Sequence, residues 1–210
     1  MHRHTNVSAT SDATGILVVV EGIDGSGKST LAAAIAAQLE SIGHPVVRSR
    51  EPTDGRYGAR VRSAAERGAR LPVQEEVRLL VLDRREHVQR LILPALAAGK
   101  IVVLDRYYHS MLAYQGSSGG DVAQLRALNV FAPEPDFPIL LDVPVDVALA
   151  RITSRGGAQS AFEKRDTLQR CSEIFRSEMP INTLVVDGEM QQSVLLGKVM
   201  SELVARFDWI

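Results

Sequence analysis

Eight residues near the N-terminus leave the chain few folds to choose from: Gly22-Ile-Asp-Gly-Ser-Gly-Lys-Ser29 satisfies G-x-x-x-x-G-K-[ST] at every fixed position. The apolar run Ile16–Val20 precedes it, long enough for a buried strand and too short for a helix. Leu31, Ile35 and Leu39 follow at four-residue spacing, which marks one face of a helix over Thr30–Leu39. A glycine-rich turn between strand and helix surrounds an anion with backbone N–H groups and the positive end of the helix. Gly22, Ile23, Asp24, Gly25, Ser26, Gly27, Lys28, Ser29 and Thr30 are therefore the candidate residues for ATP. The glycines let N–H groups wrap the β-phosphate, Lys28 spans the β- and γ-phosphates from a solvent-facing cradle, and the Ser29 hydroxyl holds Mg²⁺. A chance glycine-rich turn has similar letters but lacks the flanking strand and helix. The segment reads as a P-loop.

The rest of the chain repeats that alternation. Pro45–Arg48, Ile101–Leu104, Ile139–Leu141 and Thr183–Val186 read as further short strands. Between them, Gln74–Ala98 reads as one long amphipathic helix bounded by Pro72 and Gly99. Further helices fall near Val145–Thr153, Phe162–Ser177 and Ser193–Arg206. Such order predicts an α/β fold of the P-loop NTPase kind, a five-stranded parallel sheet flanked by helices. No internal repeat or Pro- or Ser-rich linker follows residue 14, so residues 15–210 read as a single domain. The small polar stretch Thr153–Ser160 predicts a mobile connection, and 153–165 a small lid.

Composition narrows the classes of function. A formal charge of −1, with 24 basic and 25 acidic side chains, gives no net attraction to nucleic acid or an acidic membrane surface. Cys171 is the only cysteine, which excludes an intrachain disulfide and a thiol-built zinc cluster and suits a reducing, cytoplasmic setting. Residues 1–14 are rich in Ser, Thr and His, lack the apolar core of a secretory signal, and read as a disordered tail. His2 and His4 lie in that tail and are set aside as metal ligands. No apolar run is long enough to cross a membrane.

In sheets of this kind ligands lie outside the carboxyl ends of the strands. Asp105 ends the apolar run Ile101–Leu104, the Walker-B position for a carboxylate on the Mg²⁺ side, although an aspartate there can also be a cap or turn residue. Glu51 and Arg106 fall at the same sheet edge. Arg84 lies on the apolar face of its helix, four residues beyond Leu80, so it must snorkel, pair with a buried acid, or point into a cleft holding an anion.

The blocks VVVEGIDGSGKST (18–30), REPT (50–53), LDRREHVQRLILPALAAGKIVVLDRYYHSMLAYQG (82–116) and PDFPILLDVPVDVALARI (135–152) carry a resemblance. From Ile16 onward the chain resembles the thymidylate kinases, P-loop kinases that move the γ-phosphate of ATP onto dTMP. The resemblance implies that Glu51 and Pro52 sit beside the acceptor and that Arg84 holds its monophosphate and base region. It implies that Asp105 works near the metal and that Arg106 grips the acceptor phosphate, while Ser110, Tyr114 and Gln115 line the nucleoside site. Asp24 would approach the sugar 3′-hydroxyl. It further implies a homodimer through helices flanking that site.

This sequence departs from the family pattern in two places. Leu80 stands where a phenylalanine usually stacks on thymine, leaving apolar contact without an aromatic face. Gly25 and Ser26 occupy the stretch of P-loop that some members fill with a basic residue, and Ala161 falls where a second lid arginine is common. Arg155 is then the expected catalytic cation, with Arg151, Lys164 and Arg165 as helpers. The rival classes are a kinase for another monophosphate and a nucleotide-dependent switch. The chain has no N-K-x-D element of a GTPase, and Ser117–Gly120 is only superficially similar to the transporter-ATPase signature, without its leucine and glutamine, and reads as a loop.

Overall fold

The computed structural model describes residues 15–68, 71–154 and 161–208, the last beginning with four residues known by backbone alone. The chain runs through β1 (Ile16–Glu21), α1 (Lys28–Ser41), β2 (Val46–Arg50), α2 (Arg56–Glu66), α3 (Val73–His87), α4 (Leu93–Ala97) and β3 (Ile101–Asp105). It continues through α5 (Tyr108–Ser117), α6 (Val122–Ala127), β4 (Phe137–Asp142), α7 (Val145–Ser154), α8 (Ala161–Glu178), β5 (Leu184–Asp187) and α9 (Gln192–Arg206). The strands pair in the order β2-β3-β1-β4-β5, all parallel. β1 lies at the centre, and the chain turns first to one side of it and then to the other, so a crevice opens beyond its carboxyl end. The register sets Val20 beside Asp105 and Glu21 beside Leu140, which brings the ends of β1, β3 and β4 to one line.

The apolar run of β1 has a packing reason. Ile16, Val18 and Val20 face one core with α1 and α9, while Leu17 and Val19 face another with α3, α4 and α5. Both faces are covered, so an alternating polar residue has no place there. Each such side chain contributes about 1.5–3 kcal/mol on full burial. A third cluster joins α5, α7 and α8 through Ala113, Ala148, Leu168, Cys171 and Phe175.

The expected strands are all present, with ends displaced by one or two residues. The single helix expected over 74–98 is instead interrupted: α3 ends at His87, a π-helical turn covers Val88–Ile92, and α4 follows. Pro94 has no N–H to give Arg90, and the wider turn passes the Leu93 N–H to the carbonyl of Val88. α2, α5 and α6 have no counterpart in the expected helices. Only Gly58, Val61 and Ala64 are buried in α2, a face too small in side-chain volume to announce itself as apolar. The tail at 1–14 and residues 155–160 of the expected lid lie outside the described residues. Among the described residues no helix is long and apolar enough to cross a membrane.

Candidate active site

The P-loop joins β1 to α1 in a backbone shape that side chains would block. Gly25 has φ of +84°, and a Cβ there would stand 2.3 Å from the carbonyl oxygen of Ala148 on α7. No basic side chain fits at that position while α7 packs so closely. Gly22, at φ +144°, is hemmed in by the Leu141 carbonyl. Lys28 is not solvent-facing as the sequence suggests: it is 5% exposed, and its Nζ donates to the Ile23 carbonyl at 2.7 Å. The ammonium thus folds back under the loop onto that carbonyl. Burial, then the Arg106 charge, pushes it down to about 7, against the pull of Asp24, Asp105 and Glu21.

Asp105 lies where β3 ends beside β1. One of its oxygens accepts from the Ser29 hydroxyl, and the other, Oδ1, is buried with no hydrogen-bond partner. A hydroxyl and a carboxylate are hard oxygen donors of the kind Mg²⁺ takes, and an orphaned buried oxygen is costly unless a cation or donor arrives. Among the described residues no three His, Cys, Asp or Glu side chains cluster as a metal site. Mg²⁺ held here would draw its remaining ligands from phosphate oxygens and water, as it commonly does.

Arg106 follows Asp105 with φ of +70°, a left-handed conformation rare outside glycine. Its guanidinium pairs with Asp24, donates to the Ser110 hydroxyl at 3.0 Å, and lies 5.1 Å from the centre of the Tyr114 ring. The Tyr114 hydroxyl accepts from the Asp24 N–H at 2.8 Å, so the P-loop and α5 are tied through these residues. Beneath them lies Glu21, fully buried, accepting from the N–H groups of Tyr107 at 2.8 Å and Ser110 at 3.1 Å and from the Ser110 hydroxyl at 2.6 Å. Burial pushes its carboxyl up to about 7, opposed by the Ser110 hydroxyl, by Arg106 and by the two N–H groups.

Across the crevice, Arg84 on α3 pairs with a buried acid, the second of the three readings of this arginine, and it also lines the cleft. It is 2% exposed and its Nε and Nη2 each lie 2.7 Å from Glu51 Oε2. Its Nη1 donates to Asn129 Oδ1 at 2.5 Å. The other Glu51 oxygen meets His87 Nδ1 at 3.0 Å, and His87 Nε2 meets the Ser49 hydroxyl at 2.8 Å. The turn carrying Pro52 is held from below: Asp83 accepts from Thr53 N at 2.7 Å, Thr53 Oγ1 at 2.6 Å and Gly58 N at 3.0 Å, and Arg62 donates to the carbonyls of Pro52 and Thr53.

Every acceptor candidate from the sequence opens onto one cavity of about 1080 Å³. Asp24, Glu51, Pro52, Leu80, Arg84, Arg106, Ser110, Tyr114 and Gln115 all line it, together with Tyr107, Met111 and residues of α2. The hydroxyl of Tyr107 and Oε1 of Gln115 are buried there without partners. A family model described as thymidylate kinase matches residues 20–196. A curated thymidylate kinase of Xanthomonas campestris pv. campestris (strain B100) is 48% identical over 191 residues, 91% of this chain and 84% of its own. One from Xylella fastidiosa (strain M12) is 44% identical over 196 residues, 91% of this chain and 90% of its own. The chain belongs to the thymidylate kinase family.

The cations expected at the lid divide. Arg151 donates to the carbonyls of Ser26 at 3.2 Å and Gly188 at 3.0 Å, so it braces the P-loop against the turn after β5. Arg165 pairs with Asp146 on α7. Arg155 and the side chain of Lys164 lie outside the described residues. Ser117 closes α5, with Gly119 at φ +94° turning the chain behind it, so Ser117–Gly120 is a helix end and turn where a loop was expected. Glu21, Asp83, His87 and Asn129 hold the site together; the first three lie within the resembling blocks, but no role was expected of any of them. One signal was available for Glu21: a lone carboxylate closing an apolar strand run.

Proposed function

We propose that the chain transfers the γ-phosphoryl group of ATP to dTMP, giving ADP and dTDP for dTTP synthesis. The observation that carries this reading is the convergence of all nine acceptor candidates on one cavity beside an intact P-loop, in a member of the thymidylate kinase family. Gly22–Thr30 would hold ATP, with Lys28 swinging outward from the Ile23 carbonyl to the phosphates. Ser29 and the orphaned oxygen of Asp105 would hold Mg²⁺. Bound Mg²⁺ supplies charge neutralisation on the transferring phosphate oxygens.

dTMP would lie between Pro52, Leu80 and Arg84 on one side and Arg106, Tyr114 and Gln115 on the other, its phosphate toward Arg106. A dTMP phosphate oxygen attacks the γ-phosphorus in line, the bond to the ADP oxygen breaks, and no protein nucleophile takes part. Arg106 orients the attacking phosphate and offsets its charge. Lys28 and Arg155 spread the charge on the transferring group. The lid, about 153–165 within a single domain of 15–210, closes over the site and keeps water from the γ-phosphate. A cytoplasmic homodimer, without nucleic-acid or membrane partners, completes the proposal.

Steady-state kinetics with ATP and each of dTMP, dUMP, dCMP and dGMP test it. The highest kcat/KM is expected for dTMP. A higher value for another monophosphate ends the dTMP assignment and leaves a kinase. Failure to phosphorylate any of them sinks both.

A further inference from the structure

We propose that Glu21 is a positioning residue for phosphoryl transfer, holding Arg106 in the left-handed conformation from which its guanidinium reaches the floor of the acceptor cavity. The inference rests on the dTMP kinase reading. Glu21 is the last residue of β1 and the neighbour of Gly22, so it sits between the ATP loop and the acceptor side. A non-glycine residue at φ +70° persists only where its surroundings fix it on both sides. On one side, Arg106 N donates to the Val20 carbonyl at 3.0 Å. On the other, Glu21 takes the N–H of Tyr107, the next residue, and then both donors of Ser110, whose hydroxyl also accepts from Arg106. The carboxylate thus fixes the backbone after Arg106 and the side chain that Arg106 leans on. The ionised carboxylate accepts all three donors at once, whereas a proton on Oε2 would reverse the bond to the Ser110 hydroxyl and compete with Arg106 for its lone pairs, so the ionised form is the one that holds the segment.

The charged group acting most directly on Glu21 is Arg106 from the β3–α5 connection; the carboxyl in turn acts on Lys28 from α1 and, more weakly, on the Tyr108 hydroxyl of α5, which donates to Glu134, and its register neighbour on β4 is Leu140. Complete burial resists ionisation, while the Ser110 hydroxyl, the Arg106 charge and the two N–H groups favour it, which leaves the carboxyl titrating near neutral pH. The acid limb of the reaction then carries the signature of Glu21.

The experiment compares wild type, Glu21→Gln, Arg106→Ala and the double variant at saturating ATP, with dTMP varied, between pH 5.5 and 8.5. At pH 8, Glu21→Gln is expected to lose on the order of ten- to a hundredfold in kcat/KM for dTMP, with the KM for ATP nearly unchanged. In the Arg106→Ala background the same change is expected to cost almost nothing, because its effect passes through Arg106. The ratio of wild type to Glu21→Gln is expected to fall toward one as pH drops through about 7. Titration of the dTMP phosphate is common to both and cancels in that ratio. Equal losses in the two backgrounds, or a ratio flat with pH, overturn the proposal and leave Glu21 a structural residue. Inactive wild type with dTMP instead overturns the kinase reading, before Glu21 enters. Circular dichroism checks that the variants fold. Should the glutamine variant unfold, Glu21→Asp, one methylene short of both amides, carries the same comparison.

Discussion

The two halves of the crevice are built from different materials. The ATP half is made mostly of backbone: glycines at positive φ, a helix N-terminus, and a few side-chain contacts such as Ser29 with Asp105 and Asp24 with Arg106. The acceptor half is made of buried side chains from β2, α3, α5 and the segment after α6, already paired with one another through Glu51, Arg84, His87 and Asn129. A backbone cradle can lose a side chain and keep its shape, because little else rests on it. A buried ionic network cannot, because each partner is what makes the others tolerable away from water. Function and stability should therefore separate on the ATP side and travel together on the acceptor side.

Arg84→Ala is the largest test of that contrast. It strands the Glu51 carboxylate in a site 5% exposed with His87 as its remaining partner, and it removes the donor to Asn129. Breaking a buried pair this way typically costs about 3–5 kcal/mol of stability, and dTMP turnover is expected to collapse with it. Pairing Arg84→Met with Glu51→Gln should return much of the thermal midpoint and none of the activity, since an apolar replacement removes the stranded charge but not the need for a cation. An Arg84→Ala variant that melts like wild type would break the contrast at its root.

Lys28→Ala is the counterpart across the crevice. Loss of one charge contact to the transferring group is expected to lower kcat by about two to three orders of magnitude. The melting temperature should hardly move. Burial already pushes this ammonium down to about 7, so removing it relieves a desolvated cation and gives up one hydrogen bond to the Ile23 carbonyl. Turnover near the wild-type value would mean that the cradle does not work through Lys28.

The same difference in materials decides what could be read from the sequence. The five strands and the P-loop were legible because a doubly covered sheet demands unbroken apolar runs and a phosphate cradle demands glycine at fixed spacing. Glu51 and Arg106 stood out at the sheet edge and Arg84 on an apolar helix face, resemblance added their roles and the Ser110–Gln115 segment, and the cavity gathers them. What escaped was partnership. Asp83 beneath Thr53, Asn129 on Arg84 and Glu21 beneath Tyr107 bridge sequence separations of 30, 45 and 86 residues, and no local period encodes such a pair. The burial of Lys28 escaped for a related reason, since its bond to the Ile23 carbonyl depends on how the loop folds back on itself, which the motif's spacing does not encode. α2 stayed hidden because its packed face is Gly58, Val61 and Ala64, where Gly58 lies so near Thr53 that a Cβ would meet its carbonyl at 2.3 Å.

Leu80 tests the contrast at its weakest point, because it belongs to both materials of the acceptor half. It is 9% exposed, packs in the core cluster with Leu79, Val88 and Tyr107, and still lines the cavity. A side chain that only fills core resists enlargement, and overpacking typically costs about 1–3 kcal/mol. One that faces the cavity has room for a ring. Leu80→Phe is therefore expected to keep the melting temperature within a few degrees and to lower the KM for dTMP several-fold, since ring stacking is worth about 0.5–1.5 kcal/mol beyond area. Its effect on the preference for dTMP over dUMP should be smaller, because the methyl group asks only for an apolar wall, and leucine already supplies one. Kinetics with both monophosphates and a melting curve on the same preparation decide the matter. A variant that melts well below wild type with its KM unmoved would make Leu80 a core residue, and base recognition would then fall to Arg84, Tyr107 and Gln115 alone.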